Sequence, residues 1–247
     1  MAYAAYQGRS NDRSIVTEEA KRACLVIGAG DGLGAAIGRA FANEGLIACL
    51  TRRPRHLDAL EATAHSIIDT GGEAHAFGID ARDEDQMADL IDEIETKIAP
   101  LEVVVFNIGA NVNFGIRDTT SRVYKKVWEM AAFAGFLTGR EAARVMVPRK
   151  QGTIIFTGAT ASVRGGAGFS AFAGAKHALR ALAQSMAREL GPDGIHVGHI
   201  IVDGMIDGDF IRGLIPDAKE RLAEDKILRP DDIAANYVHL WKQPKSA

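Results

Sequence analysis

The chain has 247 residues, 47% of them hydrophobic and 25% charged, the balance of a globular protein with a real core rather than a disordered segment or a minimal module. Its 29 basic and 32 acidic residues leave a net charge of -3, with no cationic surplus to neutralise a nucleic-acid backbone. Glycine is abundant at 26 residues, well above a usual share of about 7%, which calls for special backbone inside otherwise regular structure.

Residues 1–21 are polar and aperiodic and predict a loose arm. Polar and charged residues there break up the apolar stretch that a signal peptide needs, and no apolar run approaches the roughly 18 to 20 residues of a membrane span. A cytoplasmic protein without a membrane partner is expected. Short apolar runs at 23–27, 46–50, 75–79, 103–106, 153–156 and 195–202 predict buried strands. Cys24 and Cys49 lie inside two of these runs, where a thiol packs as a small hydrophobe. Between the runs the period changes. Leu57, Leu60, Ala64, Ile67 and Ile68 form one helical stripe stopped by Gly71 and Gly72. Met87, Leu90, Ile91, Ile94 and Ile98 form another, running on from Asp83 and closed by Pro100. Strand and helix alternating in this way predict a single α/β domain over 22–247, a doubly wound, Rossmann-like parallel sheet with helices on both faces.

The first strand runs into Gly28-Ala29-Gly30-Asp31-Gly32-Leu33-Gly34, followed by helical spacing from Ala35 to Phe41. Glycines there let the turn tighten and the backbone approach a pyrophosphate, which free N–H groups at a helix N-terminus then stabilise. The spacing Gly28-x-x-x-Gly32-x-Gly34 resembles the short-chain dehydrogenase/reductase family. Further landmarks fall in that family's order: Asp80-Ala81 at the end of the third strand, Asn107-Ile108-Gly109 after the fourth, and Asp203-Gly204-Met205-Ile206 after the sixth. The resemblance implies that Asp80 lies near an adenine and that backbone around Gly204 and Ile206 meets a nicotinamide carboxamide. It also implies a seventh strand, before which this sequence stops.

The end of the second strand reads Thr51-Arg52-Arg53, without the acid that binds a ribose 2′-hydroxyl. Two guanidiniums suit a 2′-phosphate, so NADP is the expected cofactor, with NAD as the alternative. Asp31 opposes this choice, since a carboxylate repels a 2′-phosphate.

In the resembling family a Tyr-x-x-x-Lys pair supplies the proton, the lysine binding the nicotinamide ribose and lowering the tyrosine's pKa; a serine about 13 residues earlier holds the substrate oxygen, and an asparagine on the preceding long helix completes a relay. Here Lys176 is present, but Phe172 stands at the tyrosine position, Ala159 at the serine position and Ala132 at the asparagine position. Phe172 has no ionisable proton. Thr160 is the first candidate to orient a substrate oxygen, followed by Ser162, Ser170, Asn111, Asn113 and a water on Lys176. His177 is rotated about 100° from Lys176 on the helix and reads as structural. His196 and His199 point to opposite faces of a strand, and no glutamate stands twelfth from Asp203, so no metal is expected.

Ala171, Ala175, Ala178, Leu182 and Met186 form a close-packing stripe, and the resemblance implies a homodimer or homotetramer built on such helices. Two functions fit: an NADP-dependent oxidoreductase with an atypical centre, acting on a small-molecule carbonyl, alcohol or alkene, or a catalytically silent NADP(H)-binding sensor or partner subunit. Substrate choice falls to a loop over about 204–228.

Overall fold

A computed structural model describes residues 20–244; most of the expected N-terminal arm therefore lies outside the described residues. The sheet contains β1 (Ala23–Ile27), β2 (Ile47–Arg52), β3 (Ala74–Gly78), β4 (Leu101–Phe106), β5 (Gly152–Ala159) and β6 (Ile195–Val202). All pairings are parallel, in the order β3-β2-β1-β4-β5-β6. β1 is buried along its whole length, as a central strand covered on both faces must be, which is why it reads as an unbroken apolar run.

Helices α1 (Leu33–Asn43), α2 (Leu57–Asp69) and α9 (Pro230–Trp241) close one face, around Phe41, Leu50, Leu60 and Tyr237. Helices α3 (Glu84–Glu93), α5 (Ala134–Met146) and α6 (Ser170–Leu190) close the other, around Met87, Phe106, Phe156 and Leu179. α4 (Ser121–Trp128) precedes α5, and the short α7 (Asp209–Leu214) and α8 (Ala218–Ala223) lie between β6 and α9. The strand order reverses between β1 and β4, and this switch point is where ligands of such sheets bind.

Several boundaries differ from the sequence reading, with β4 and β5 both longer than the apolar runs at 103–106 and 153–156. β2 extends to Arg52 because Thr51 and Arg52 continue the ladder opposite Phe77 and Gly78. β3 ends at Gly78, so Asp80-Ala81 lie beyond the strand, in the loop that leads to α3. The helix opening at Asp83, whose side chain accepts from the Gln86 amide, holds α-geometry only to Glu93 and then widens into an i→i+5 turn over Ile94–Ile98. Cys24 lies opposite Ala48 and Cys49 opposite Leu25, and the two thiols enter cores on opposite faces of the sheet. Burial pushes the Cys49 thiol up to about 12, so neither cysteine is poised as a nucleophile.

Candidate active site

The glycine turn is built by backbone. Gly28, at φ +92°, and Ala29 donate to the Thr51 carbonyl at 3.2 and 2.9 Å, and Ala35 donates to the Gly30 carbonyl at 2.8 Å. Among the described residues the amides of 31–34 donate to no backbone acceptor, which leaves the start of α1 open to an anion. A Cβ on Gly34 would stand 2.5 Å from the Gly28 carbonyl oxygen and 2.6 Å from the Ala29 Cα. The turn therefore closes only over glycine. Asn107, just beyond β4, fixes it: its Nδ2 donates to the Gly28 carbonyl at 3.1 Å.

Two cavities meet at Asn107 and Gly109, which line both. The smaller, about 280 Å³, is walled by Gly28, Arg52, Arg53, Asp80, Ala81 and Arg82. Burial, together with Arg55, Arg82 and Arg52, lowers the pKa of Arg53, a sign of cations crowded without enough counter-charge. Asp31 is one counter-ion, 3.9 Å from Arg52 Nη2. Thr51 also lines this pocket; it is 1% exposed, and its hydroxyl donates to the Val26 carbonyl at 3.3 Å, which anchors the turn. The Asp80 carboxylate accepts from both the Arg82 amide and Nε, and this clasp lowers its pKa. The clasp was not anticipated, although the Asp-x-Arg spacing beside the pocket was its visible signal.

The larger cavity, about 980 Å³, is lined by Asp31, Gly32, Leu33, Ala159, Thr160, Phe172, Lys176, Gly204 and Ile206 among others. Lys176 is 2% exposed, and its Nζ donates to the Ile108 carbonyl at 2.9 Å and the Thr157 carbonyl at 2.8 Å. Burial pulls its pKa down to about 7. Phe172 covers it, the ring centroid 5.9 Å from Nζ. The Thr160 hydroxyl donates to the Asp203 carboxylate, so this first candidate for holding a substrate oxygen is already engaged. Ser162 lies fully buried, accepting from the Ala159 amide at 3.1 Å. Asn111 lines the cavity, while Asn113 stands against the Gly168 turn. His177 Nδ1 bonds the Ala173 carbonyl one turn back. Ala132 sits in an i→i+5 turn joining α4 to α5, packed among Ala131, Ala171 and Ala175.

The loop after β6 forms the cavity's outer wall. Asp207 and Leu228 join it at its base, the Asp207 amide donating to the Leu228 carbonyl at 2.9 Å. Asp207 is 8% exposed and accepts from Arg212 Nε at 2.8 Å and Nη2 at 2.6 Å. This clamp, also unforeseen, fixes α7 beside the glycine turn, where a Cβ on Gly32 would touch the Asp207 carbonyl at 3.4 Å. Among the described residues no group of three or more metal-binding side chains occurs, and no helix is long and apolar enough to cross a membrane.

A family model described as short chain dehydrogenase matches residues 22–217. The chain is 28% identical to zerumbone synthase of Zingiber zerumbet over 238 residues, covering 89% of this chain and 87% of that protein. A crystal structure of a short-chain dehydrogenase from Rhodopseudomonas palustris superposes with a TM-score of 0.78 at 47% identity, over 92% of this chain and 94% of that one. A metagenomic short-chain oxidoreductase crystallised in complex with NADP gives a TM-score of 0.76 at 25% identity, over 92% of each chain.

Proposed function

The chain belongs to the short-chain dehydrogenase family, and on that basis we propose that it is an NADP-dependent oxidoreductase with an atypical reaction centre, moving a hydride to or from a small carbonyl, alcohol or alkene. The observation that carries this reading is the join at Asn107 and Gly109 between an arginine-walled pocket and a larger, mostly apolar cavity that Lys176 helps to line. The first offers cations for a 2′-phosphate and the second offers room for a substrate.

The residues present fit the dinucleotide. The turn that Gly34 alone can close, with open amides at the start of α1, suits a pyrophosphate. Arg52 and Arg53 would hold the 2′-phosphate, and Lys176 the nicotinamide ribose. When bound, the reduced cofactor supplies the hydride. The chain's own contribution is to orient and dehydrate the reacting oxygen and to manage its proton. Phe172 and Ala159 offer no hydroxyl at the positions where the resemblance places the proton donor and oxygen-binding residue. The cavity beside Lys176 takes in Gly32, Gly204 and Ile206 of the dinucleotide site and continues to Gly165, Gly166 and Phe169; this space beyond the cofactor residues supports turnover over silent nucleotide binding.

Titrating NADPH and NADH against intrinsic fluorescence tests the reading. Tighter binding of NADPH supports it, and failure of both to bind at millimolar concentration overturns it. Asp31→Asn is expected to tighten NADPH binding by about two- to five-fold with little change for NADH. The substitution removes a half-exposed carboxylate 3.9 Å from Arg52, and such screened pairs contribute up to about 1 kcal/mol. Equal changes for the two nucleotides would show that Asp31 does not act through the 2′-phosphate site.

Self-association belongs to the same reading, although the expected stripe is largely consumed inside the chain. Ala171 and Ala175 pack on Val127 and Ala131, and Leu182 and Met186 join the main core. What remains outward is an aromatic row: Trp128 stacks on Phe133 at 6.0 Å and Phe133 on Phe136 at 6.2 Å, with Trp128 and Phe136 both about two-fifths exposed. Large exposed aromatics in a row mark an association surface. Phe136→Glu is expected to convert a dimer or tetramer into a smaller species in light scattering. An unchanged mass would place the interface elsewhere.

A further inference from the structure

The oxidoreductase reading leaves open what kind of molecule enters the larger cavity. Most of the charged residues that line it are committed to the chain itself. Asp31 stands against Arg52, Lys176 gives two N–H groups to the carbonyls of Ile108 and Thr157, and Asp207 is clamped by Arg212. Asp209, in the first turn of α7, adds its charge beside that same Arg212. Arg164 differs from all of these. It lines the cavity, is exposed, and its guanidinium makes no hydrogen bond or ion pair among the described residues. Ser170 Oγ and His199 Nε2 are buried without a partner, but neither residue lines this cavity or its neighbour. Asn111 lines the cavity too; its neutral amide can serve a donor or an acceptor and so selects no charge.

The backbone holds Arg164 on a built wall. The Thr160 carbonyl accepts from the Val163 amide at 3.0 Å and from the Arg164 amide at 3.1 Å, so the chain folds back directly after β5. Arg164 is thereby kept one turn from Ala159 and Thr160. Further along, the Phe114 amide donates to the Gly168 carbonyl at 2.8 Å, which ties this loop to the segment after β4. Phe169 and Phe172 continue the wall as apolar lining. The carboxylates of Asp31, Asp207 and Asp209 belong instead to the glycine turn and α7.

We propose that the substrate is a carbonyl compound, or the matching alcohol, with an apolar body and a carboxylate: Arg164 holds the carboxylate, and the body lies against Phe169 and Phe172. The inference rests on the oxidoreductase reading above. A planar guanidinium offers a carboxylate two parallel N–H groups. One uncommitted cation matches one negative charge, whereas a doubly charged phosphate would meet the same single guanidinium and the three acids of the glycine turn and α7. A polyol would leave hydroxyls unpaired against Phe169, Phe172, Met205 and Ile211.

The test follows NADPH oxidation with formylbenzoate, benzoylpropionate and benzoylbutyrate, each beside its methyl ester. For at least one pair the acid is expected to have a KM about ten-fold below that of its ester at similar kcat, the factor that a hydrogen bond to a charged group supplies. Arg164→Gln is expected to raise that acid's KM about ten-fold and to shift the ester by less than about three-fold, and Arg164→Lys to recover part of the loss. Calorimetry on NADPH-saturated protein repeats the comparison without turnover: phenylbutyrate is expected to bind about ten-fold tighter than phenylbutyramide in the wild type and equally in Arg164→Gln. Esters used as well as acids in every pair, or a variant that weakens acid and ester alike, would overturn the assignment while the oxidoreductase reading stands. NADPH binding without turnover of any acid or ester would instead remove that reading, and the calorimetric preference for the acid would then decide the carboxylate site by itself. If Arg164→Gln fails to fold, the wild-type acid and ester pairs decide.

Discussion

Replacing Gly34 by valine is expected to lower affinity for both NADPH and NADH by roughly 10²- to 10⁴-fold. Even the first added carbon would lie 2.5 Å from the Gly28 carbonyl oxygen and 2.6 Å from the Ala29 Cα, and both neighbours are backbone, so the turn must open. Opening it moves the amides of residues 31–34 away from the pyrophosphate. Each hydrogen bond to a charged group contributes about 1.5–3 kcal/mol, so losing two costs about 3–6 kcal/mol, and each 1.4 kcal/mol is tenfold. Some stability is lost as well, since overpacking costs about 1–3 kcal/mol. Calorimetric titration beside a circular-dichroism melt separates the two effects. A folded variant that binds either nucleotide normally would show that this turn is not the phosphate site.

The second large effect is selective. Arg52→Ala combined with Arg53→Ala is expected to weaken NADPH by roughly 10²- to 10⁴-fold and NADH by less than about five-fold, again from two lost charge-assisted hydrogen bonds. The prediction follows from the pocket rather than from the Thr51-Arg52-Arg53 sequence alone. Both guanidiniums line the same 280 Å³ space as the glycine turn, and burial, with the neighbouring arginines, lowers the pKa of Arg53. Rising salt should weaken NADPH in the wild type and have little effect on the double variant, because exposed charge pairs are screened. Equal loss of both nucleotides would mean that the arginines support the loop rather than read the phosphate.

The fold and the glycine turn were legible in the sequence for local reasons. Buried parallel strands are continuous apolar runs, and a turn that tolerates only glycine displays its glycines. What stayed hidden was made by contacts between residues far apart in the chain or by the choice among several partners. Nothing in the sequence around Thr160 shows that its hydroxyl reaches Asp203, 43 residues later. Likewise, Thr51 stands beside two arginines yet turns inward to Val26. The alanine stripe on α6 was correctly read as close packing, but whether α4 or a second subunit covers it depends on tertiary structure. Lys176 was visible as a residue, but not its electrostatic state, because the burial that lowers its pKa exists only in the folded chain.

The most direct measurement of the central claim is absorbance at 340 nm, with wild-type protein and NADPH incubated against a panel of small ketones, aldehydes and enones, and with NADP and the matching alcohols in reverse. The expected result is saturable loss of absorbance with at least one carbonyl or alkene, faster with NADPH than with NADH, with one mole of product formed per mole of NADPH consumed. Tight NADPH binding with no change in absorbance across the panel in either direction would contradict an oxidoreductase and leave a nucleotide-binding protein without turnover.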